Sequence, residues 1–132
     1  MRDVLVPIDT EDDRANAQAD TVVDLFDADS TVAHLFHDFT DNPEGASVSQ
    51  VGAVKHAAAA LEDAGFEVSY HETSGDPAET IIEMGDELDV DAIVVAGRKR
   101  SPAGKALFGS VSQSVILGTD RPVVVCGESP DS

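Results

Sequence analysis

Five short apolar runs punctuate this chain, at residues 4–8, 31–36, 66–70, 92–96 and 122–126. The first, fourth and fifth are almost unbroken in Val, Ile, Leu and Ala. A strand with one face in water alternates apolar and polar residues, whereas an unbroken run suits a strand covered on both faces. Helices supply that cover, and most of the spaces between the runs have helix length. The pattern predicts one α/β domain over residues 1–132, a three-layer βαβ arrangement with a five-stranded parallel sheet and helices on both faces.

The spacers carry helix punctuation. Thr10 with Asp13 resembles a capping box and opens a helix to about Phe26, with Ala15, Ala19, Val22, Val23 and Phe26 facing inward. Ser47-x-x-Gln50 is a capping box ahead of a helix over residues 51–64, which Gly65 stops. Gly75-Asp76-Pro77 is the cleanest signal. Asp76 caps, Pro77 suits the first turn and Glu79 completes the box, for a helix to about Leu88. A fourth helix starts near Gly109-Ser110 and ends near Gly118. Residues 38–46, rich in Asp, Asn, Pro and Gly, read as a surface connector in preference to a lid.

Charge narrows the function. Asp and Glu number 26 against eight Lys and Arg, for a net charge of −18. A surface this negative repels polyanions, so neither nucleic acid nor an anionic membrane is an expected partner. It suits an acidic, halophilic protein that stays hydrated in concentrated salt, where repulsion is screened. The single Cys126 leaves no partner for an intramolecular disulfide, and its place at the end of an apolar run reads as a buried thiol. No apolar stretch approaches the roughly 18 residues of a membrane span, and Met1-Arg2-Asp3 leads straight into Val4 with no room for a signal peptide. A cytoplasmic protein is expected.

In an open parallel sheet, ligands bind beyond the carboxyl ends of the strands. The candidates are Asp9-Thr10, Leu35-Phe36-His37, Ser74-Gly75 and the stretch after the fourth run, which stands out: Gly97-Arg-Lys-Arg-Ser-Pro-Ala-Gly104-Lys-Ala-Leu-Phe-Gly109-Ser110-Val111-Ser112. Of the eight basic residues, five (Arg98, Lys99, Arg100, Lys105 and Arg121) lie from Gly97 onward, with only three of the 26 acidic residues. Glycines let backbone approach an anion, and a helix beginning at Gly109-Ser110 would present unpaired N–H groups to it. Ser110 and Ser112 add hydroxyl donors, and Arg98, Lys99, Arg100 and Lys105 add charge. Phosphate is the ligand this chemistry suits. The stretch is neither a P-loop, lacking G-x-x-x-x-G-K-[ST], nor a Rossmann G-x-G-x-x-G following the first strand.

Val4-Leu5-Val6-Pro7-Ile8-Asp9, His34 closing the second strand, Gly75-Asp76-Pro77, and the passage from Ala92 through Gly97 to Phe108-Gly109-Ser110 together resemble the universal stress protein family, in an acidic, haloarchaeal-type form. The resemblance covers nearly the whole chain. It implies strand order 3-2-1-4-5 and a homodimer joined through the edge strand from Pro122 to Cys126. It also implies a stress or regulatory protein that binds an adenine nucleotide, ATP or AMP, with Mg as an optional companion. By the same resemblance Asp9 accepts from adenine or ribose, Ile8 and Leu35 flank the base, and Gly97, Gly109, Ser110, Val111 and Ser112 hold phosphates. The chain departs from the family's G-2X-G-9X-G-[ST] pattern: Arg100 stands at the second glycine, and eight residues rather than nine follow it before Gly109. Arg100 either adds a phosphate contact, with Lys99 beside it, or fills the glycine's space and blocks it. In the second case the chain is a dimeric interaction or signalling module with a vestigial pocket.

Other sites are weaker. Receiver-type chemistry at Asp9 needs a further acidic cluster and an Asp ending the third strand, which ends near His71-Glu72-Thr73. His34 and His37 point to opposite faces of one strand, so they share no metal spacing. No Ser-His-Asp, Cys-His or G-x-S-x-G arrangement is readable, leaving slow ATP hydrolysis as the most an enzyme reading allows.

Overall fold

Val4, Leu5 and Val6 have no exposed surface, the two-sided burial that an unbroken apolar run demands. They lie in β1 (Arg2–Pro7), the central strand of a five-stranded sheet. A computed structural model describes residues 2–8, 12–38, 51–96 and 110–126. β2 (Thr31–Asp38), β3 (Glu67–Thr73), β4 (Ala92–Ala96) and β5 (Val123–Cys126) complete the sheet. The order is β3-β2-β1-β4-β5 and every pairing is parallel.

The helices between them are α1 (Asp12–Leu25), α2 (Gly52–Asp63), α3 (Pro77–Leu88) and α4 (Ser110–Gly118). One sheet face, with Val4, Val6, Ala33, Leu35 and Val94, packs on Ala15, Ala19 and Val22 of α1 and on Val54, Ala57 and Leu61 of α2. The other, with Leu5, Phe36, Ile93 and Val95, packs on Ile81 of α3 and Val115 of α4. The chain winds outward from β1 to β3, then returns to the other side of β1 to lay down β4 and β5. This reversal puts the two helix pairs on opposite faces and creates a switch point between β1 and β4.

The ends of α3 and the stop of α2 follow the sequence chemistry, whereas Thr10, read as the cap of α1, and Gly109, read as the start of α4, lie outside the described residues. Asp76 accepts from the Glu79 amide at 3.1 Å, with Pro77 in the first turn. Gly65, at φ +94°, ends α2: its amide bonds Glu62 O and the Phe66 amide bonds Leu61 O, closing the last turn. Asp89 fills the equivalent left-handed position after α3 at φ 52°. The start of α2 differs from a capped helix end. Its N-cap is Val51, with extended backbone and no side-chain cap bond. Ser47 and Gln50, read as a capping box, lie outside the described residues. Val51 packs against the core, so apolar anchoring rather than a polar cap sets where the chain enters the helix.

Burial also corrects α1. Ala15, Ala19 and Val22 face inward as expected and Phe26 packs at the core's edge, but Val23 is exposed. Val23 sits one residue, about 100° of helix, past the buried Val22. β2 and β3 run longer than their apolar runs, because pairing continues through His37↔Glu72 and Asp38↔Thr73. β2 therefore overhangs the end of β1. Among the described residues, no helix is long and apolar enough to cross a membrane.

Candidate functional site

β1 and β4 pair at Val4↔Ala92 and Leu5↔Ile93 and then diverge. Beyond that point Gln18 of α1 enters between them. Its Nε2 donates to Pro7 O at 2.6 Å and to Val94 O at 2.9 Å. Gln18 is 2% exposed; its bond to Val94 O is buried and its bond to Pro7 O is part-buried. On the other side of β1, the β2 overhang brings His37 to Ile8: its Nδ1–H donates to Ile8 O at 2.6 Å. The Ile8 amide bonds Phe36 O at 2.7 Å. The last two carbonyls of this segment, Pro7 and Ile8, are thus held by buried polar side chains.

α4 closes the far side. The Ser112 hydroxyl donates to Ala96 O, the last carbonyl of β4, at 3.0 Å. This bond seats the first turn of α4 at the carboxyl end of β4. The leading amides of a helix have no intrahelical partner, and together they form a positive pole suited to an anion.

The sequence-read site residues divide into two groups. Ile8, Leu35, Val111 and Ser112 are described, and Ser110 is the first residue of α4. Ile8 and Leu35 are buried in the core cluster on the α1–α2 face, Ser112 is half-buried and Val111 is exposed. Asp9, Gly97, Lys99, Arg100 and Gly109 lie outside the described residues.

Arg121, counted with the basic stretch from its place in sequence, is engaged elsewhere. Its Nε donates to Asp86 Oδ1 at 3.1 Å, and its Nη1 to Asp89 Oδ1 at 3.0 Å and Val90 O at 2.8 Å. These bonds tie the chain leading into β5 to the carboxyl end of α3, where a cation complements the helix dipole. Its hydrogen bonds to Asp89 and Asp86 raise the guanidinium pKa further.

His34 is also structural. Its Nε2 meets Asp3 Oδ1 at 2.9 Å, and its Nδ1 lies 2.9 Å from His71 Nε2. The chain of groups crosses β1, β2 and β3 on the α3 face. Burial first, then the charge of His34, lowers the His71 pKa, with Glu87 opposing. Cys126 is buried, and burial raises its thiol pKa. Among the described residues, no group of three or more His, Cys, Asp or Glu could hold a metal ion.

Gln18 is not among the residues that the strand ends point to, and His37 is there only as part of the second strand's end, Leu35-Phe36-His37. Gln18 carries a readable signal: it is a polar residue on the Ala15–Ala19–Val22 stripe, where an apolar one would serve packing alone. His37 follows Ala33 and Leu35 on the same inward face of its strand, which is a fainter sign of the same kind.

Fold and geometry define a doubly wound parallel α/β protein whose strand ends part at a switch point beside a helix N-terminus. The chain belongs to the universal stress protein family, whose sequence profile matches residues 1–127. A universal stress protein of Mycolicibacterium smegmatis is 32% identical over 80 residues, 60% of this chain and 62% of that protein. The match to the stress response protein NhaX of Bacillus subtilis is 41% identical over 51 residues, 39% of this chain and 31% of that protein, so the chain spans only part of the relatives it matches.

Solved structures share the fold. A universal stress protein of Archaeoglobus fulgidus superposes with TM-score 0.74 at 26% identity, covering 96% of this chain and 98% of that one. An Archaeoglobus fulgidus universal stress protein in complex with dAMP gives 0.71 at 21% identity, covering 96% and 98%. An Arabidopsis thaliana family protein with AMP bound gives 0.75 at 14% identity, covering 100% and 95%.

Proposed function

We propose that this chain is a stress or regulatory protein that binds an adenine nucleotide, AMP or ATP, at the switch point between β1 and β4. The observation that carries the reading is the Ser112–Ala96 bond, which holds a helix N-terminus at the carboxyl end of β4 beside the parting of the strands. The basic, glycine-containing stretch from Gly97 to Gly109 joins those two elements in sequence, and related folds hold AMP and dAMP. In this reading Asp9 accepts from the sugar or base, and Ile8 and Leu35, buried in the core cluster, back the base site from within rather than offering it free surface. Gly97, Gly109, Ser110, Val111 and Ser112 take the phosphates with Lys99 and Arg100. Ser112 would turn its proton from Ala96 O to donate to phosphate. Mg would arrive on the nucleotide's phosphates.

The reading includes a homodimer joined along β5, an edge strand paired only with β4 among the described residues. Val125 of β5 and Ile116 of α4 are exposed, and Leu117 is 78% exposed, the apolar surface that a second copy would cover. It also includes a halophilic, cytoplasmic setting, supported by the charge of −18 and the lone buried thiol. Titrating AMP, ADP and ATP by calorimetry in molar KCl tests the binding: saturable heat supports it, and no heat up to millimolar nucleotide refutes it.

Arg100 at a glycine position favours a second reading, a dimeric interaction module with a vestigial pocket. Binding that appears only in Arg100→Gly supports this second reading, and tight binding by the unaltered chain eliminates it.

A further inference from the structure

Parallel strands that part leave carbonyls facing one another without donors, and buried carbonyls seldom stay unpaired. β1 and β4 part in this way after Leu5↔Ile93, and one carboxamide satisfies both sides of the gap. Only Gln, Asn and the cationic side chains bring two or more N–H donors from one group, and Gln alone does so here without burying a charge. Two small neighbours on its helix face, Ala15 and Ala19, are fully buried against the same sheet face. The wedge is therefore fixed in position from the helix side, and His37 fixes the next carbonyl, Ile8 O, from β2.

We propose that Gln18 is the spacer that sets the separation of β1 and β4 at the switch point, which makes it a positioning residue for the nucleotide. The nucleotide part rests on the binding reading above; the spacer part does not. β1 runs on through Ile8, whose carbonyl His37 holds, and β4 ends at Ala96, whose carbonyl Ser112 holds, so the separation that Gln18 sets is passed to both sides of the ligand site. With a donor-free side chain of the same length the strands would change their separation rather than leave both carbonyls buried and unpaired.

Two variants and one measurement on the unaltered protein test this. Gln18→Met keeps length and loses both donors. Its crystal structure should show the Pro7–Val94 separation changed, and its AMP affinity should fall about tenfold, equivalent to one ligand hydrogen bond lost because the strand ends are displaced. Gln18→Glu should bind AMP weakly at pH 8, where a carboxylate faces two carbonyls, and regain affinity toward pH 5 as the carboxyl gains a proton to donate. The unaltered chain should lack that recovery.

An unchanged Pro7–Val94 separation in Gln18→Met overturns the spacer. AMP affinity within twofold of the parent in both folded variants overturns the positioning role. If neither variant folds, the Gln18 carboxamide signals of the ¹⁵N-labelled parent decide: they should shift on AMP addition, and signals that stay fixed while others move overturn the proposal. A parent that binds no AMP while Gln18→Met changes the separation refutes the nucleotide reading and leaves the spacer standing.

Discussion

Ser112→Ala separates a packing role from a ligand role. The substitution removes one hydrogen bond, Ser112 Oγ to Ala96 O at 3.0 Å, in a half-buried setting. A net hydrogen bond contributes about 0.5–1.5 kcal/mol, and water can reach this carbonyl in part, so the lower half of that range applies. Ala also favours helix over Ser by a few tenths of a kcal/mol, which offsets some of the loss. The expected cost in unfolding free energy is therefore about 0.5 kcal/mol.

A hydroxyl that donates to phosphate makes a charge-assisted bond, of about 1.5–3 kcal/mol. AMP affinity should then fall by roughly tenfold to a hundredfold, far more than stability does. Chemical denaturation and calorimetric titration in the same molar-salt buffer give the two numbers. Affinity within twofold of the parent would refute phosphate at the start of α4. A stability loss above about 2 kcal/mol would show the bond to be chiefly structural.

Three further outcomes are expected. The lowered His71 pKa means that the unfolded chain binds more protons below the ordinary imidazole value of 6.5, so this group's contribution, full above that value, is lost as pH falls through the folded pKa. Denaturation midpoints between pH 5 and 7.5 should show the slope, and His71→Gln should flatten it; identical slopes in both proteins contradict the account. Gly65→Ala should cost about 1–2 kcal/mol through left-handed backbone alone, because the added Cβ meets Ala28 Cβ at an ordinary 3.6 Å; an unchanged urea midpoint would refute it. Diluting molar salt should lower the melting temperature, since screening lengthens from about 3 Å at 1 M to about 10 Å at 0.1 M against a charge of −18. A flat melting temperature would show that carboxylate repulsion is negligible.

The sheet was legible because two-sided burial leaves unbroken apolar runs, as in Val4–Val6 and Ile93–Val95, and few other environments do. The cap of α3 was legible because Asp76, Pro77 and Glu79 act within one turn. What escaped depends on distant partners. Nothing local to Arg121 says that its guanidinium reaches Asp86, Asp89 and Val90, so its charge was grouped with the basic stretch before it. The overhang of β2 is set by pairing with β3, which polar residues such as His37 and Asp38 do not announce. Gln18 is intermediate: its place on an apolar stripe marks it as unusual, but its purpose emerges only where β1 and β4 separate.

The central claim, an adenine nucleotide held between β1 and β4 with its phosphates at the start of α4, is tested most directly by calorimetric titration of the unaltered chain with AMP in molar KCl. The account predicts a saturable exothermic or endothermic isotherm that weakens in Ser112→Ala. A featureless titration up to millimolar AMP and ATP, from a chain that unfolds cooperatively in the same buffer, would contradict it.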